Sequence, residues 1–404
     1  NMAEGNKVEQ NSDTPSLDKK ENVAEISREE ALNQSERINF ENESIVGSIS
    51  LKGGVIDDLT FKQYNVSLDS QEKVTLLSPR NSKDGYLIES GFITSDKNVE
   101  IPNSSSIWKV SGNNKLTDQS PIKISWTNDQ GITFEKEIAL DDKYLFSIKQ
   151  SVINPTDKKY DFYTYGQIIR NEMPDISNFY ILHEGLVATL DDELIEEDYD
   201  DIQEKKFSRT AQKGWLGIGD KYWVTSLIPP REKEFKTTFD YKDKFRANFV
   251  STEPLELNEN SLIEENLQII VAAKRVDVID GYAETLNIDK FDLTIDWGFL
   301  YFITKPLFFG IDYFFKLLGN YGLAIIAITI CIRLAFFPLA NFSFRSMAKM
   351  KALQPEMARL KELHKDDKMK LQQAMMALYK KEKVNPMSGC LPILVQIPVF
   401  FALY

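Results

Sequence analysis

The feature that most constrains this chain is an apolar stretch of twenty residues, Tyr321–Ala340, which reads YGLAIIAITICIRLAFFPLA. As a helix, with a rise of about 1.5 Å per residue, it would be about 30 Å long and would match the hydrocarbon core of a bilayer. Arg333 is its only charged residue. A charge near the centre of such a helix costs about 2.5–3.5 kcal/mol on insertion scales, so we predict a transmembrane helix over 319–341 with a functional arginine. The alternative is that Arg333 snorkels to nearby headgroups and marks the cytoplasmic flank.

The distribution of charge predicts the orientation of this helix. The chain has a net charge of −13, yet lysines and arginines outnumber aspartates and glutamates between 342 and 386. Because basic loops stay in the cytoplasm, we expect 342–386 on the cytoplasmic side and residues 1–290 on the opposite side of the membrane. An acidic chain with one basic segment also argues against DNA as a partner, since a duplex binder needs a continuous basic surface.

The long region before the membrane helix has the residue pattern of β-strands. From residue 40 to about 266, apolar and polar residues alternate in short runs separated by Asn, Asp, Gly and Pro. Turns are expected at Gly53-Gly54 and at Asp141–Lys143. Many such strands predict an all-β domain over 40–290, a two-sheet sandwich larger than an immunoglobulin domain, which a helix within 272–286 closes.

Two polar segments are expected to contribute no core. Residues 1–39 are polar and poor in aromatic residues, which predicts a disordered tether. The acidic run Asp191–Asp201 is expected to be a solvated loop; a calcium site is the alternative, although the DxDxDG spacing is absent. No metal site is predicted, because the chain has two histidines and neither CxxC nor HxxxH spacing.

Two more helical elements flank the transmembrane helix. In 291–318, Lys305, Asp312 and Lys316 share one face of an aromatic-rich helix, which favours an amphipathic helix in the headgroup layer; the alternative is a second span. In 342–386, a four-three rhythm of apolar residues predicts an antiparallel helical hairpin, kinked or restarted at Pro355. The seam residues of this hairpin are Met350, Leu353, Met357, Leu360 and His364 in one arm and Leu371, Met375 and Leu378 in the other.

The lysines of this hairpin point to partners. A basic hairpin at a membrane surface suits contact with anionic lipid, with a ribosome or with a targeting factor. Its candidate contact residues are Lys349, Lys351, Lys380 and Lys381.

Specific motifs in the membrane part resemble the YidC family of membrane protein insertases. These motifs are the arginine in the apolar helix, the RxxxxPL run, the SMAKM segment that starts the hairpin, and MMALYKxxKVNPxxGCxPxxxQxPxF. The segments KGWLGIGDKYWVTSLIPP and DLTIDWGFLYFITKPLF also look like those of the Gram-negative branch. The resemblance implies a multi-pass protein of the bacterial inner membrane, with a periplasmic β-supersandwich before an α-helical membrane core.

The resemblance also implies a site. In the family, five core helices enclose a water-filled groove that opens to the cytoplasm and to lipid. Residues 387–404 would start the second of these helices, and the first transmembrane helix and the last three would lie outside the given sequence. Arg333 matches the arginine of the groove, Thr329 matches a substrate-contacting position one turn earlier, and Gln396 is a further candidate on the second core helix.

The function implied by the resemblance is insertion and folding of nascent membrane proteins, alone or beside the Sec translocon. An arginine among water molecules would lower the cost of drawing a polar tail into the bilayer, while apolar segments would leave sideways into lipid. No enzymatic activity, catalytic residue or cofactor is expected. The alternative is a membrane-anchored periplasmic sugar-binding or mutarotase-like protein, whose one candidate base would be His183 beside Glu184.

Overall fold

The computed structural model of the chain describes residues 26–174, 183–298, 300–365, 367–382 and 391–403. The chain divides into two compact units between Asp296 and Trp297. Strands dominate the first unit and helices make up the second. The expected order of an all-β domain followed by an α-helical part is therefore confirmed.

The first unit contains twenty strands in its described residues. They are β1 Arg37–Glu41, β2 Ile45–Ser50, β3 Val55–Asn65, β4 Lys73–Leu77, β5 Tyr86–Ile93, β6 Lys109–Ser111, β7 Lys115–Leu116, β8 Ile122–Thr127, β9 Thr133–Leu140, β10 Leu145–Asn154, β11 Tyr160–Arg170, β12 Gly185–Leu190, β13 Glu193–Asp198, β14 Phe207–Ala211, β15 Gly214–Gly219, β16 Trp223–Ile228, β17 Phe235–Tyr241, β18 Phe245–Ser251, β19 Leu255–Leu257 and β20 Ser261–Ala273.

These strands form two sheets. The first runs β14-β17-β18-β11-β5-β3-β2-β1-β7, with β4 beside β3 and β19 beside β11, and the second runs β13-β12-β15-β16-β20-β10-β9-β8-β6. The strand pairs in the described residues are antiparallel, except that β1 and β7 are parallel. The two-sheet sandwich expected from the alternation of residues is thus confirmed.

Aromatic side chains join the two sheets through one core. The Phe40 ring on β1 meets the Phe146 ring on β10 edge to face, with 5.2 Å between centroids. Phe61 on β3 stacks on Trp223 of β16 at 4.5 Å. Because burying one such side chain stabilises a fold by about 1.5–3 kcal/mol, contacts of this kind hold the sheets face to face.

Both turns expected from the sequence are present. Gly53 and Gly54, with φ of 82° and 62°, connect β2 to β3 in a left-handed conformation that glycine adopts without strain. Asp141 connects β9 to β10, and its Oδ1 accepts hydrogen bonds from the backbone N–H groups of Lys143 and Leu145 at 2.9 and 2.8 Å. The carboxylate replaces the backbone acceptors that the reversing chain lacks.

A helix closes this unit, as the sequence pattern predicts. It spans Val276–Thr285, and its Ile279 is completely buried. The Tyr282 hydroxyl donates to Asp141 Oδ2 at 2.7 Å and accepts from the Tyr144 N–H at 2.8 Å. The helix is therefore tied to the β9–β10 turn by hydrogen bonds as well as by apolar packing.

The expected tether, 1–39, is wrong over its second part. Arg28–Leu32 form helix α1, whose capping box joins Ser27 and Glu30, and β1 begins at Arg37. Arg28 and Arg37 pair with Asp58 and Asp57 of β3. Polar composition concealed this segment because only Ala31 and Ile38 are buried there, and ion pairs to a distant strand add to their packing. Residues 1–25 lie outside the described part of the chain.

The acidic run is also structured, contrary to expectation. Asp191 and Asp192 adopt φ of 49° and 67° at the turn that precedes β13, and helix α2 follows over Tyr199–Glu204. Tyr199 and Ile202 are three residues apart, so they lie on the same face of α2. They are 1% and 2% exposed, and their burial anchors the helix. Among the described residues, no group of three or more His, Cys, Asp or Glu is placed to hold a metal ion.

The second unit is helical. The closing helix of the first unit is α3, and the later helices are α4 Tyr301–Leu318, α5 Tyr321–Ala352, α6 Gln354–Leu363, α7 Lys368–Lys381 and α8 Leu391–Leu403. Within the described residues, α5 is the one helix long and apolar enough to cross a bilayer. The structure thus supports the transmembrane assignment.

Two predicted boundaries differ from the structure. The expected helix over 291–318 is a 3₁₀ turn at Phe291–Thr294 and then α4, because Phe291 is buried in the core of the first unit. The helix expected to end at 341 continues to Ala352. Hydropathy changes after Ala340, but lysine, methionine and alanine are good helix formers and nothing there stops the helix.

Lys136 carries a buried amine within the sandwich and gives the first unit a predicted pH dependence. It is 3% exposed, and its Nζ donates to the Gly54 carbonyl at 3.0 Å. Burial lowers the pKa of this amine to about 7. The ordinary pKa of lysine, which the unfolded chain retains, is about 10.4.

We expect the free energy of unfolding to rise between about pH 7 and pH 10, because the unfolded state then binds more protons than the folded state. The rise attributable to Lys136 should reach about 1.4 kcal/mol per pH unit. Urea unfolding from pH 6 to pH 9, followed by tryptophan fluorescence, measures it. Lys136→Met should abolish this component, and Lys123→Met on the adjacent strand should retain it. Parallel pH curves for the wild type and Lys136→Met would contradict the prediction.

Candidate functional site

The candidate site lies on α5. Arg333 and Thr329 are four residues apart and therefore share one face of the helix. Arg333 is exposed; Thr329 is half-buried, and its hydroxyl donates to the Ile325 carbonyl at 2.7 Å. Within the part of the chain that the structure describes, Arg333 forms no ion pair, and α5 contains neither Asp nor Glu. The arginine is thus presented by a helix without a carboxylate of its own.

A sharp corner places α4 beside this helix. Gly319, with φ of 67°, ends α4, and its N–H donates to the Phe315 carbonyl at 2.8 Å. Asn320 caps α5, since its Oδ1 accepts from the Leu323 N–H at 3.1 Å. The Phe315 and Tyr321 rings stack across the corner at 4.0 Å. A left-handed glycine followed by an asparagine N-cap is a local sequence signal for such a reversal.

Close contact between α4 and α5 occurs next to Thr329. A Cβ atom on Gly310 of α4 would lie 2.8 Å from Cδ1 of Ile328. The absence of a side chain at Gly310 therefore lets the two helices approach at the level of the candidate site.

The charged side chains of α4 are consistent with the interfacial position predicted for this helix. Asp312 and Lys316 form an ion pair at 2.7 Å, and Lys305 Nζ lies 5.7 Å from the centroid of the Trp297 ring. Among the described helices, α4 does not have the length and composition of a membrane span. Its location at the interface and the alternative of a second span both remain predictions.

Gln396 is on α8, which packs against both α4 and α5. Its side chain is half-buried. In the described residues, no hydrogen bond joins Gln396 to Arg333 or Thr329. The structure brings the helices of these three predicted residues together, but it does not join the three side chains.

The predicted hairpin is formed mainly by α6 and α7, which pair with each other. The eight seam residues are half-buried or buried, and Leu378 is only 7% exposed. The Tyr379 hydroxyl donates to Met357 Sδ at 3.9 Å across the pair. Pro355 lies in the first turn of α6. The first arm therefore restarts at this proline, which is one of the two predicted alternatives.

The helices of the hairpin region have an acidic residue at a helix start and lysines at helix ends, where the helix dipole favours each charge. Asp367 caps α7 by accepting the Lys370 N–H at 3.1 Å, and this hydrogen bond lowers the pKa of the Asp367 carboxyl. The four predicted contact lysines are exposed and occupy the last turns of α5 and α7, where positive charge is favourable. They are Lys349, Lys351, Lys380 and Lys381.

His183, the candidate base of the mutarotase alternative, is engaged elsewhere. Its Nδ1 lies 3.1 Å from Asp198 Oδ1, and its Nε2 lies 3.2 Å from the Leu186 carbonyl oxygen. Its backbone N–H donates to Asp296 at 3.0 Å. Both ring nitrogens therefore have structural partners, and one of these partners is the Asp198 carboxylate.

A buried ion pair in the first unit is absent from the sequence predictions. Arg170 at the end of β11 pairs with Asp220 at 2.6 Å, donates to the Tyr199 hydroxyl at 3.1 Å, and lies 4.7 Å from the centroid of the Tyr86 ring. The available sequence signal was Arg170 itself, a charged residue at the end of the mostly apolar strand β11. Its partner Asp220 is fifty residues away, in the turn between β15 and β16 of the other sheet, so spacing alone could not identify it.

Comparison with known proteins assigns both units to one family. Residues 37–309 match the YidC periplasmic domain, and residues 313–404 match the 60Kd inner membrane protein family. A membrane protein insertase YidC from Pelagibacter ubique is 74% identical over 404 residues, which are 100% of this chain and 72% of that protein. The YidC of Brucella melitensis is 42% identical over 390 residues, which cover 94% of this chain and 64% of that protein.

A solved structure of a YidC insertase is also similar to this chain. A crystal structure of an active YidC insertase, with its first transmembrane domain resolved, aligns with 17% identity and a TM-score of 0.31, over 92% of this chain and 71% of that one. The family assignment therefore stands on the sequence matches. They identify the first unit as a periplasmic domain and the second as part of an inner membrane protein. This chain belongs to the YidC family of membrane protein insertases.

Proposed function

We propose that this protein inserts substrate proteins into the bacterial inner membrane through a hydrophilic groove that contains Arg333. The observation that carries the proposal is an exposed arginine inside α5, a helix apolar and long enough to span a bilayer. A charge at such depth is costly and is retained where it faces water or a substrate path. The membership of the chain in an insertase family supports the same role.

The positive charge of Arg333 has a physical use in this process. A short polar tail of a substrate must cross a region of low dielectric, where an unpaired polar group costs several kcal/mol. Arg333, hydrated within a groove, attracts acidic tails and gives their oxygen atoms hydrogen-bond donors partway through the bilayer. The apolar segments of the substrate then move into lipid, which the hydrophobic effect favours.

Neighbouring residues extend this polar path. Thr329 lies one turn before Arg333 on the same face, and the Gln396 amide on α8 can both donate and accept hydrogen bonds. The contact of α8 with α4 and α5 supports a common groove for the three residues.

We further propose that the hairpin faces the cytoplasm and receives substrates there. The basic end of α5 and the exposed lysines Lys349, Lys351, Lys380 and Lys381 favour this side of the membrane. They suit contact with anionic lipid, a ribosome or a targeting factor, and the protein works alone or beside the Sec translocon. Met369 and Met376, 73% and 62% exposed, add flexible apolar contacts.

Expression of the protein in cells depleted of their own insertase tests the proposal. Insertion of a short phage-coat-type substrate should return, and protease digestion of the substrate's periplasmic loop in spheroplasts measures it. Export of a soluble periplasmic protein through Sec serves as the control. The proposal is wrong if the protein reaches the membrane at normal abundance and the substrate stays uninserted.

A further inference from the structure

A cleft lies at one end of the periplasmic unit, where strands β3 and β20 end and strand β16 begins. Its volume is about 310 Å³. Clefts that bind small ligands have volumes of about 300–1,000 Å³. This cleft can therefore hold a group of the size of an aromatic side chain.

Aromatic rings form the wall of this cleft. They belong to Tyr64, Tyr222 and Trp223. The Tyr64 ring meets the Trp223 ring edge to face, with 5.1 Å between centroids, and Trp223 stacks on the fully buried Phe61 at 4.5 Å. Tyr222 is 61% exposed, and its carbonyl accepts the Lys274 N–H at 2.8 Å. The wall is thus held in place before a ligand arrives, so an incoming ring meets preorganised aromatic partners.

Positive charge borders the aromatic wall, although the whole chain has a net charge of −13. The described residues of the lining include three basic residues and no acidic one. The basic residues are Lys221, Lys274 and Arg275. Burial lowers the pKa of the Lys274 amine, so the charge that faces solvent comes from Lys221 and Arg275.

Both of these cations lie where a ligand can reach them. Lys221 Nζ is 5.2 Å from the centroid of the Tyr222 ring, which places its charge beside the aromatic wall. Arg275 donates from Nε and Nη2 to Asp277, and 51% of its side chain remains exposed. Because a guanidinium has five N–H groups, Arg275 can also donate to the carboxylate of a ligand. The cleft therefore suits a ligand that combines an aromatic group with a carboxylate.

The apolar surface continues from the cleft along the loop between β3 and β4. Val66 follows the last residue of β3, which lines the cleft, and it is 60% exposed; Leu68 is fully exposed. Apolar side chains that extend a cleft in this way mark a larger binding surface. A peptide can cover both the cleft and the loop, whereas a small molecule covers only the cleft.

The charges of the same loop favour a peptide over a lipid surface. Asp69 and Glu72 are exposed beside Leu68. A bilayer surface with anionic headgroups presents negative charge everywhere and would be repelled by these carboxylates. A peptide can place its own carboxylate at Lys221 and Arg275 and an apolar residue at the loop.

We propose that this cleft binds an acidic peptide segment in which an aromatic side chain lies next to a carboxylate. The aromatic side chain enters between the rings of the cleft, and the carboxylate accepts hydrogen bonds from Lys221 and Arg275. The site lies wholly within the periplasmic unit and is separate from the groove proposed at Arg333. Periplasmic segments of proteins under insertion are the expected source of such peptides; this source, but not the binding itself, rests on the proposed function.

Fluorine NMR of the whole chain in detergent micelles tests this proposal. Labelling with 5-fluorotryptophan gives five signals, and Trp223→Phe assigns the signal at the cleft. The probe is the peptide acetyl-Ser-Asp-Phe-Asp-Ser-amide. It should shift the Trp223 signal saturably and leave the other four in place, since Trp223 is the one tryptophan among the described residues of the lining.

Two matched peptides separate the contribution of the ring from that of the charge. Replacing both aspartates of the peptide by asparagine, or its phenylalanine by serine, should weaken binding about tenfold. Lys221→Gln and Tyr222→Ser should each weaken binding of the original peptide. The control variants Lys97→Gln and Tyr241→Ser, which change exposed side chains outside the cleft, should bind it as the wild type does.

Equal affinities of the three peptides, or no saturable shift of the Trp223 signal, would overturn the proposal. Phosphatidylglycerol added to the micelles tests the other occupant, an anionic lipid headgroup. A saturable Trp223 shift with this lipid and none with the peptide would assign the cleft to the membrane surface and would also overturn the proposal. Because binding is measured without insertion, a negative result leaves the function proposed for Arg333 unaffected.

Discussion

Replacing Arg333 by Met should reduce insertion of a short substrate with an acidic tail by roughly 10–100-fold. A charge-assisted hydrogen bond contributes about 1.5–3 kcal/mol, and each 1.4 kcal/mol corresponds to about a factor of ten. Methionine keeps the length and apolar stem of the side chain and favours a helix. The loss would therefore reflect the missing charge rather than a disturbed α5.

The variants Arg333→Lys and Arg345→Met separate the possible causes. Lysine retains positive charge without the planar fork, so it should preserve most of the insertion if charge alone is needed. Arg345 is also exposed on α5, nearer its basic end, and its replacement should have little effect. Pulse-labelled insertion in depleted cells, at matched protein abundance, gives the comparison. Full activity of Arg333→Met would instead favour the snorkelling interpretation of this arginine.

Replacing Asp220 by Asn should destabilise the periplasmic unit by about 3–5 kcal/mol. The change leaves the Arg170 guanidinium buried without its carboxylate, and removal of one partner of a buried pair costs an amount of this order. The two side chains are 14% and 12% exposed, and the distance between them is 2.6 Å. Asparagine matches the shape of aspartate, so the local packing should change little.

Urea unfolding of the whole chain in detergent, followed by near-ultraviolet circular dichroism, measures this loss. The matched control is Glu264→Gln, which breaks the exposed pair of Glu264 with Lys149, 2.9 Å apart. That change should leave the unfolding midpoint nearly where it is in the wild type, because solvent screens exposed pairs. Equal shifts of the unfolding midpoint in the two variants would contradict the prediction, because the buried pair would then contribute no more than the exposed one.

Local patterns were sufficient for much of the architecture. Alternation of apolar residues along β9 and β10 identified strands, and Asp141–Lys143 identified the turn between them. The rhythm of apolar residues from Met350 to Leu378 identified the hairpin seam, because helical periodicity is independent of the rest of the fold. These features depend on residues close in sequence, whose preferences are strong.

Features that depend on distant residues escaped the same reasoning. Arg28 and Arg37 are ordered by Asp58 and Asp57, and the acidic helix α2 is held by apolar contacts that its composition hides. Lys136 interrupts an otherwise apolar inward row on β9 and so gave a visible signal. Its meaning depends on Trp108 and Gly54, which belong to other parts of the chain.

The sequence by itself determined the apolar helix with one arginine, the strand-rich domain before it and the basic hairpin after it. Composition and periodicity suffice there, because bilayer thickness and backbone geometry set the required lengths and spacings. The tertiary structure alone decided that α4 and α8 pack beside α5, that Arg170 meets Asp220, and that Tyr64, Trp223 and Arg275 share one cleft. Such contacts follow from strand order and helix packing, which bring together residues far apart in sequence.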